Sequence, residues 1–146
     1  MGDDHHPILD AFLKSGGPLT MNGPLAEALK GQILEMDRDA GTALLAFDPG
    51  DQVLQTAGVI QGGIVAAMLD FAMALAAFSR LAADKSFGTV SLTTNFLKPA
   101  LPGRHLARAR LDRMGTRMIF ASAELSRDGS KTAIATATAV MAISPG

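Results

Sequence analysis

Asp70 is the one acid in a long apolar run, AGVIQGGIVAAMLDFAMALAAF, that extends from residue 57 to residue 78. A carboxylate among such neighbours needs hydrogen-bond partners or a wet cleft, because removing an unpaired ion from water is very costly. It is either an acid satisfied by nearby hydroxyls or a general base that takes a proton from water. Eight residues earlier, Gly62 and Gly63 follow Gln61 at the point where the run turns helical. The first N–H groups of a helix have no internal acceptor and carry the positive end of its dipole, so they suit a developing negative oxygen. Glycine there leaves the approach clear, although the same pair also serves for a tight strand-to-helix turn. A carboxylate and a set of amide donors are the parts needed to add water to a carbonyl.

Their spacing adds a condition. Eight residues along one helix correspond to about 12 Å. Donors about 3 Å from an oxyanion and a base about 3 Å from the attacking water cannot both come from that one helix. A two-fold axis that runs the helix antiparallel to its copy brings the glycines of one chain to the acid of the other, with two equivalent sites per dimer. The geometry therefore predicts an obligate dimer.

The elements that must position these groups follow from periodicity and turn chemistry. HPILDAFLKSGG predicts a short amphipathic helix over about residues 7–15, with Pro7 in its first turn and Gly16 and Gly17 as a stop. QILEMDRD and TALLAFD predict a hairpin that ends at DPGD. The long helix is expected from near Gly62 to about Ala83, apolar on every face and buried all round. GTVSLTTNFL, RHLARARLDR, RMIFASAEL and KTAIATATAVMAI then read as four strands, separated by KPALPG, MGT and SRDGS. An antiparallel meander is the simplest arrangement for them. Ala133, Ala135, Ala137 and Ala139 share one strand face, as do Ala107 and Ala109, so the helix can approach closely there. Consecutive strands make the class α+β, a sheet curled around one helix, in a single domain over residues 1–146.

Composition excludes several functions. With 13 Lys and Arg against 14 Asp and Glu, the net charge of −1 offers no footprint for nucleic acid or an anionic membrane. The absence of cysteine removes thiolate and CxxC chemistry and fits a reducing, cytoplasmic setting. MGDDHHPILD lacks the basic-then-apolar layout of an export signal. As a membrane span, the apolar run would carry Asp70 at a cost of roughly 2.5–3.5 kcal/mol with no basic flank to orient it, so a core helix is the better reading. The DDHH stretch is not counted as a metal site, and no cofactor is called for. No GxSxG elbow or phosphate-binding glycine loop is present. A Ser-His-Asp triad would rest on His105 alone, which reads as a structural strand residue.

QTAGVIQGGIVAAMLD followed by TVSLTTNFLKPA resembles the hotdog-fold thioesterases of the phenylacetate-degradation (PaaI) type. The resemblance covers roughly residues 30–143 and includes the glycine-to-acid spacing and an intact FLKPA at Phe96–Ala100. It implies hydrolysis of a coenzyme A thioester by a homodimer, or a tetramer of two dimers. The Gly62 N–H would polarise the carbonyl, with Gly63 beside it. Asp70 of the partner chain would be general base or nucleophile, and Gln55 would hold the water or the carbonyl. Thr89 matches the hydroxyl that orients water beside the acid, and a one-step shift along the strand would nominate Ser91, on the same face by alternation. Gln61 stands where the family commonly has His; it can position a substrate but cannot change protonation near neutral pH. The phosphates of coenzyme A would need cations, with Lys98, Arg104, Arg117, Arg127 and Lys131 as the candidates and Lys98, inside FLKPA, as the substrate-binding choice. The alternative is a hotdog-fold binding or scaffold protein without catalysis. A hydratase on the same fold would lack the usual Asp and His pair.

Overall fold

The computed structural model describes residues 5–146; Asp3 and Asp4 of the DDHH stretch lie outside them. Helix α1 (Pro7–Ser15) forms as expected. His6 caps it, its Nδ1 accepting the Ile8 N–H at 3.3 Å. The chain continues through β1 (Leu19–Thr20) and α2 (Pro24–Ala28) to β2 (Gln32–Asp37) and β3 (Thr42–Phe47), the expected hairpin. A 3-10 turn over Asp51–Val53 leads to α3 (Gly62–Arg80), and β4 (Lys85–Phe96), β5 (His105–Met114), β6 (Met118–Arg127) and β7 (Ala133–Pro145) complete the structure.

All strands join one seven-stranded antiparallel sheet in the order β1-β2-β3-β5-β6-β7-β4. Strands β5, β6 and β7 form the anticipated meander, but β4 does not join it at β5. It crosses to the far side of β7 and becomes an edge, while β5 pairs with β3. The connection explains this. Residues 97–104 carry Pro99 and Pro102, which cannot donate to a ladder. Ala100 is buried, and its carbonyl accepts the Ile60 N–H at 2.7 Å, so the segment is fixed as a strap that crosses the molecule rather than a hairpin turn.

Helix α3 packs on the concave face of the sheet, where Ala107, Ala109, Ala121, Ala123, Ala135, Ala137 and Ala139 are all buried. Its Val65, Met68, Leu69, Ala72, Met73 and Ala76 fill that contact. Two expectations about the helix need correction. It stops at Arg80 rather than about Ala83, because Leu81 is extended (φ −69°, ψ 136°) and the Arg80 guanidinium donates to the Arg38 and Asp39 carbonyls at 2.8 and 2.5 Å, tying the last turn to the β2–β3 turn. Nor is it buried all round. Gly63 is exposed, and Ala66, Ala67, Asp70 and Ala74 are half-buried along one stripe, because the sheet of one chain covers only one side of the helix.

Candidate active site

The carboxylate of Asp70 lies on that open stripe of α3. Thr89 on β4 donates its hydroxyl to Asp70 Oδ1 at 3.1 Å. A single neutral hydroxyl leaves the second carboxylate oxygen and most lone pairs of the first unoccupied, so Asp70 retains capacity to bind water. Thr89 faces the helix because it sits opposite Met141, whose side chain is fully buried under α3.

Ser91 takes the other face. The pairing jumps from Thr89↔Met141 to Ser91↔Val140, with Val90 bulged out between them. Strand alternation alone puts residues 89 and 91 on the same side; the extra residue of a β-bulge cancels that parity. The expectation that Ser91 could substitute for Thr89 beside the acid is therefore corrected: only Thr89 reaches it.

A second group of residues gathers at the start of α3. Gln55, Gly62 and Lys98 line one cavity of about 380 Å³, together with Val59, Phe96 and Pro99. Gln55 is held by a tight turn: its N–H donates to the Val59 carbonyl at 2.8 Å, its carbonyl accepts from Gly58 at 2.9 Å, and Gly58 adopts φ 81°, which a side chain would strain. Gln61 is the residue before the helix (φ −57°, ψ 137°), and its carbonyl accepts from Ile64 and Val65 at 2.9 and 3.2 Å. Its side chain is exposed and caps nothing. Among the described residues the N–H groups of Gly62 and Gly63 have no acceptor. They are donors waiting at the positive end of a 19-residue helix.

The structure therefore divides the expected residues into two sets within one chain. Asp70 and Thr89 touch each other, and Gln55, Gly62 and Lys98 share a cavity that neither of them lines. The helix rise between Gly62 and Asp70, about 12 Å, keeps the sets apart. A Cβ at Gly63 would meet nothing, whereas at Gly62 one would touch the Phe96 ring at 3.4 Å. Phe96 was not singled out from the sequence, although it opens the FLKPA segment; its ring packs where a side chain at Gly62 would point and lines the same cavity. Among the described residues no group of three His, Cys, Asp or Glu side chains could hold a metal.

His105, the first residue of β5, is buried with its Nδ1 2.9 Å from the Gly103 carbonyl oxygen. Burial pushes its pKa down, against the pull of that hydrogen bond. Among the described residues its ring makes no hydrogen bond to a Ser or Asp side chain.

Residues 57–134, just over half of the chain, match the thioesterase superfamily (4HBT). The chain belongs to that superfamily. A phenylacetic acid degradation-related protein from Ralstonia eutropha JMP134 is 36% identical over 84% of this chain and 92% of its own, with a TM-score of 0.78. A thioesterase family protein from Silicibacter pomeroyi is 30% identical over 95% and 96%, with a TM-score of 0.79. The PaaI protein of E. coli, at 21% identity, covers 99% of this chain and 98% of its own at a TM-score of 0.79, which shows the shared fold. No curated protein matches the sequence. The architecture of this thioesterase-superfamily member is the hotdog fold, a curled antiparallel sheet around one long helix. That helix is the core helix of the fold, half of it buried inside the protein, although it is long and apolar enough to pass for a membrane span.

Proposed function

We propose that this protein hydrolyses an acyl-CoA thioester in a cleft to which two protomers each contribute half. One observation carries the reading. Asp70, half-buried on the open stripe of α3, and the Gly62 N–H, without an acceptor among the described residues, lie about 12 Å apart on one helix, so they complete a site only across a pair of chains.

In this mechanism the thioester carbonyl rests against the Gly62 N–H of one protomer, with the Gln55 side chain holding the carbonyl or the water, and the Gly63 N–H and Gln61 side chain at the rim. Asp70 of the other protomer removes a proton from water as the oxygen attacks the carbonyl carbon. The Thr89 hydroxyl holds Asp70 Oδ1, so that Oδ2 is free to face the water. The tetrahedral oxyanion gains from the helix N-terminus. Its collapse breaks the C–S bond, and the departing thiolate receives the proton from Asp70. Gln61 does not titrate, so its part is positioning. Lys98 stands at the cavity wall, placed to attract the anionic end of coenzyme A.

Strand β4 supports the pairing. It is a 12-residue edge with no strand on its outer side among the described residues, and Val90 and Phe96 are 64% and 58% exposed on it. A long exposed apolar edge is a template for another strand. Joining two copies of β4 antiparallel about a two-fold axis lays the two α3 helices side by side and antiparallel. Gly63, Ala66, Ala67 and Ala74, all small, then form the facing surface around Asp70.

The test is complementation. Gly62→Val and Asp70→Asn are each expected to abolish release of free thiol from a panel of acyl-CoA esters. Mixed and reassorted, they should regain about a quarter of wild-type turnover, because half of the dimers then carry one intact site of two. No recovery, with mixed dimers demonstrated, overturns the shared site. The hydrogen bond from Thr89 to Asp70 also fits an acid kept only for structure. Binding of acyl-CoA without turnover by the wild type would favour that non-catalytic reading.

A further inference from the structure

We infer that the cleft between the 97–104 strap and the β6–β7 turn is a binding site for a phosphate monoester, held by Lys98, Arg127 and the buried His105. The cleft has a volume of about 290 Å³, and Ser130 and Thr132 also line it. His105 is 1% exposed. Its Nδ1 faces the Gly103 carbonyl, which can only accept, so Nδ1 carries the ring hydrogen and Nε2 is left as the acceptor. That Nε2 is buried with no partner among the described residues, an uncommon state for a polar atom that calls for a ligand or water.

The charges around it point to an anion. The Arg127 guanidinium lies over Gly103, where a Cβ would come within 2.8 Å of its Nη2. Neither Arg127 nor Lys98 takes part in an ion pair among the described residues, whereas the neighbouring Arg104 is bound to Asp128 at 2.8 Å. Two cations thus remain for a ligand. Ser130 Oγ accepts from the Thr132 N–H at 3.1 Å, which leaves the Ser130 O–H to donate. Asp48 favours a charged His105 while Arg127 and burial oppose it; an anion between the two cations removes part of that opposition.

The remaining requirement is one proton between the ligand and Nε2. A phosphate monoester, with its second pKa near about 6, meets it, as monoanion with imidazole or dianion with imidazolium. A diester has no proton to share near neutral pH. Lys98 and Pro99 line both this cleft and the cavity that holds Gln55 and Gly62, so the two openings share a wall. Assignment of the ligand as the 3′-phosphate of coenzyme A rests on the proposed function. The phosphate site itself does not, and free phosphate is the other source.

Calorimetric titration of the full chain with coenzyme A, 3′-dephospho-coenzyme A and inorganic phosphate separates the cases. Coenzyme A is expected to bind at least about tenfold more tightly than the dephospho form, with uptake of about one proton near pH 8. That preference should disappear in His105→Phe, which keeps ring size, and in the surface variant Arg127→Gln. Phosphate binding that both variants abolish, without any preference for the 3′-phosphate, supports the site and overturns the coenzyme A assignment. Affinities that neither variant changes overturn the site. The measurement needs no turnover, so a chain that fails to hydrolyse yet prefers the 3′-phosphate refutes the hydrolytic reading and leaves the site standing.

Discussion

Thr89 is the residue whose side chain bonds Asp70 among the described residues, its hydroxyl donating to Oδ1 on the open side of α3. On the proposed mechanism Asp70→Asn should lower thioester turnover by at least ~100-fold, the contribution of a general base. Thr89→Val, which removes a hydrogen bond to a charged group, should cost roughly 10- to 100-fold. Ser91→Ala should leave the rate unchanged. Steady-state thiol release from the three variants checks the set, and equal losses from Thr89 and Ser91 would sink the assignment. The sequence could not separate the two hydroxyls, because the Val90 bulge belongs to the pairing of β4 with β7 and not to β4 alone. A further outcome concerns pH. Burial lowers the pKa of both His6 and His105 in the folded chain, so the unfolded chain binds more protons just below its own His pKa of about 6.5. Stability should therefore fall as pH drops below about 6.5 and recover above it. Loss of the His6 cap adds to this, since a protonated Nδ1 cannot accept from Ile8. Thermal unfolding across that range is the measurement, and a midpoint that rises on acidification contradicts it.

At the level of elements, α3 has one side built for close packing and one side left open. The alanine faces of β5 and β7 were legible because alternation has a fixed period, and Ala107, Ala109, Ala135, Ala137 and Ala139 are buried under the helix; Ala133, beyond the register shift at Leu125/Ser126, is only half-buried. Ala137→Leu should force the helix away from the sheet and cost about 1–3 kcal/mol, read from denaturant unfolding, as overpacking a dense core does. The open side was hidden. Apolar character on every face of a helix says that each face is covered by something, and cannot say whether its own chain supplies the cover. Topology was hidden for a related reason: KPALPG announces that the chain leaves a strand, but not which strand it meets next. The two-residue β1 and five-residue α2 are too short to carry a period at all.

For the whole molecule, the proposal that two chains share a site rests on one helix rise and two residue types, the spacing of Gly62 from Asp70. Its physical test is the exposed edge. Val90→Lys places a solvated charge on β4, where pairing with a second copy requires an uncharged ladder. Sedimentation should then report a monomer, with turnover lost together with the partner. A Val90→Lys chain that remains dimeric would move the interface elsewhere.

The crossover of β4 has a consequence during synthesis. Its partner β7 begins at Ala133, well after β4 ends at Phe96, so the ribosome must deliver β5 and β6 before the last two strands can meet. Until then much of the oily flank of α3 has no lid, and contacts so distant in sequence form slowly. A nascent chain of this design is exposed to chaperones at its most adhesive moment, and ribosome-stalled intermediates ending before β7 should be the ones that chaperones capture.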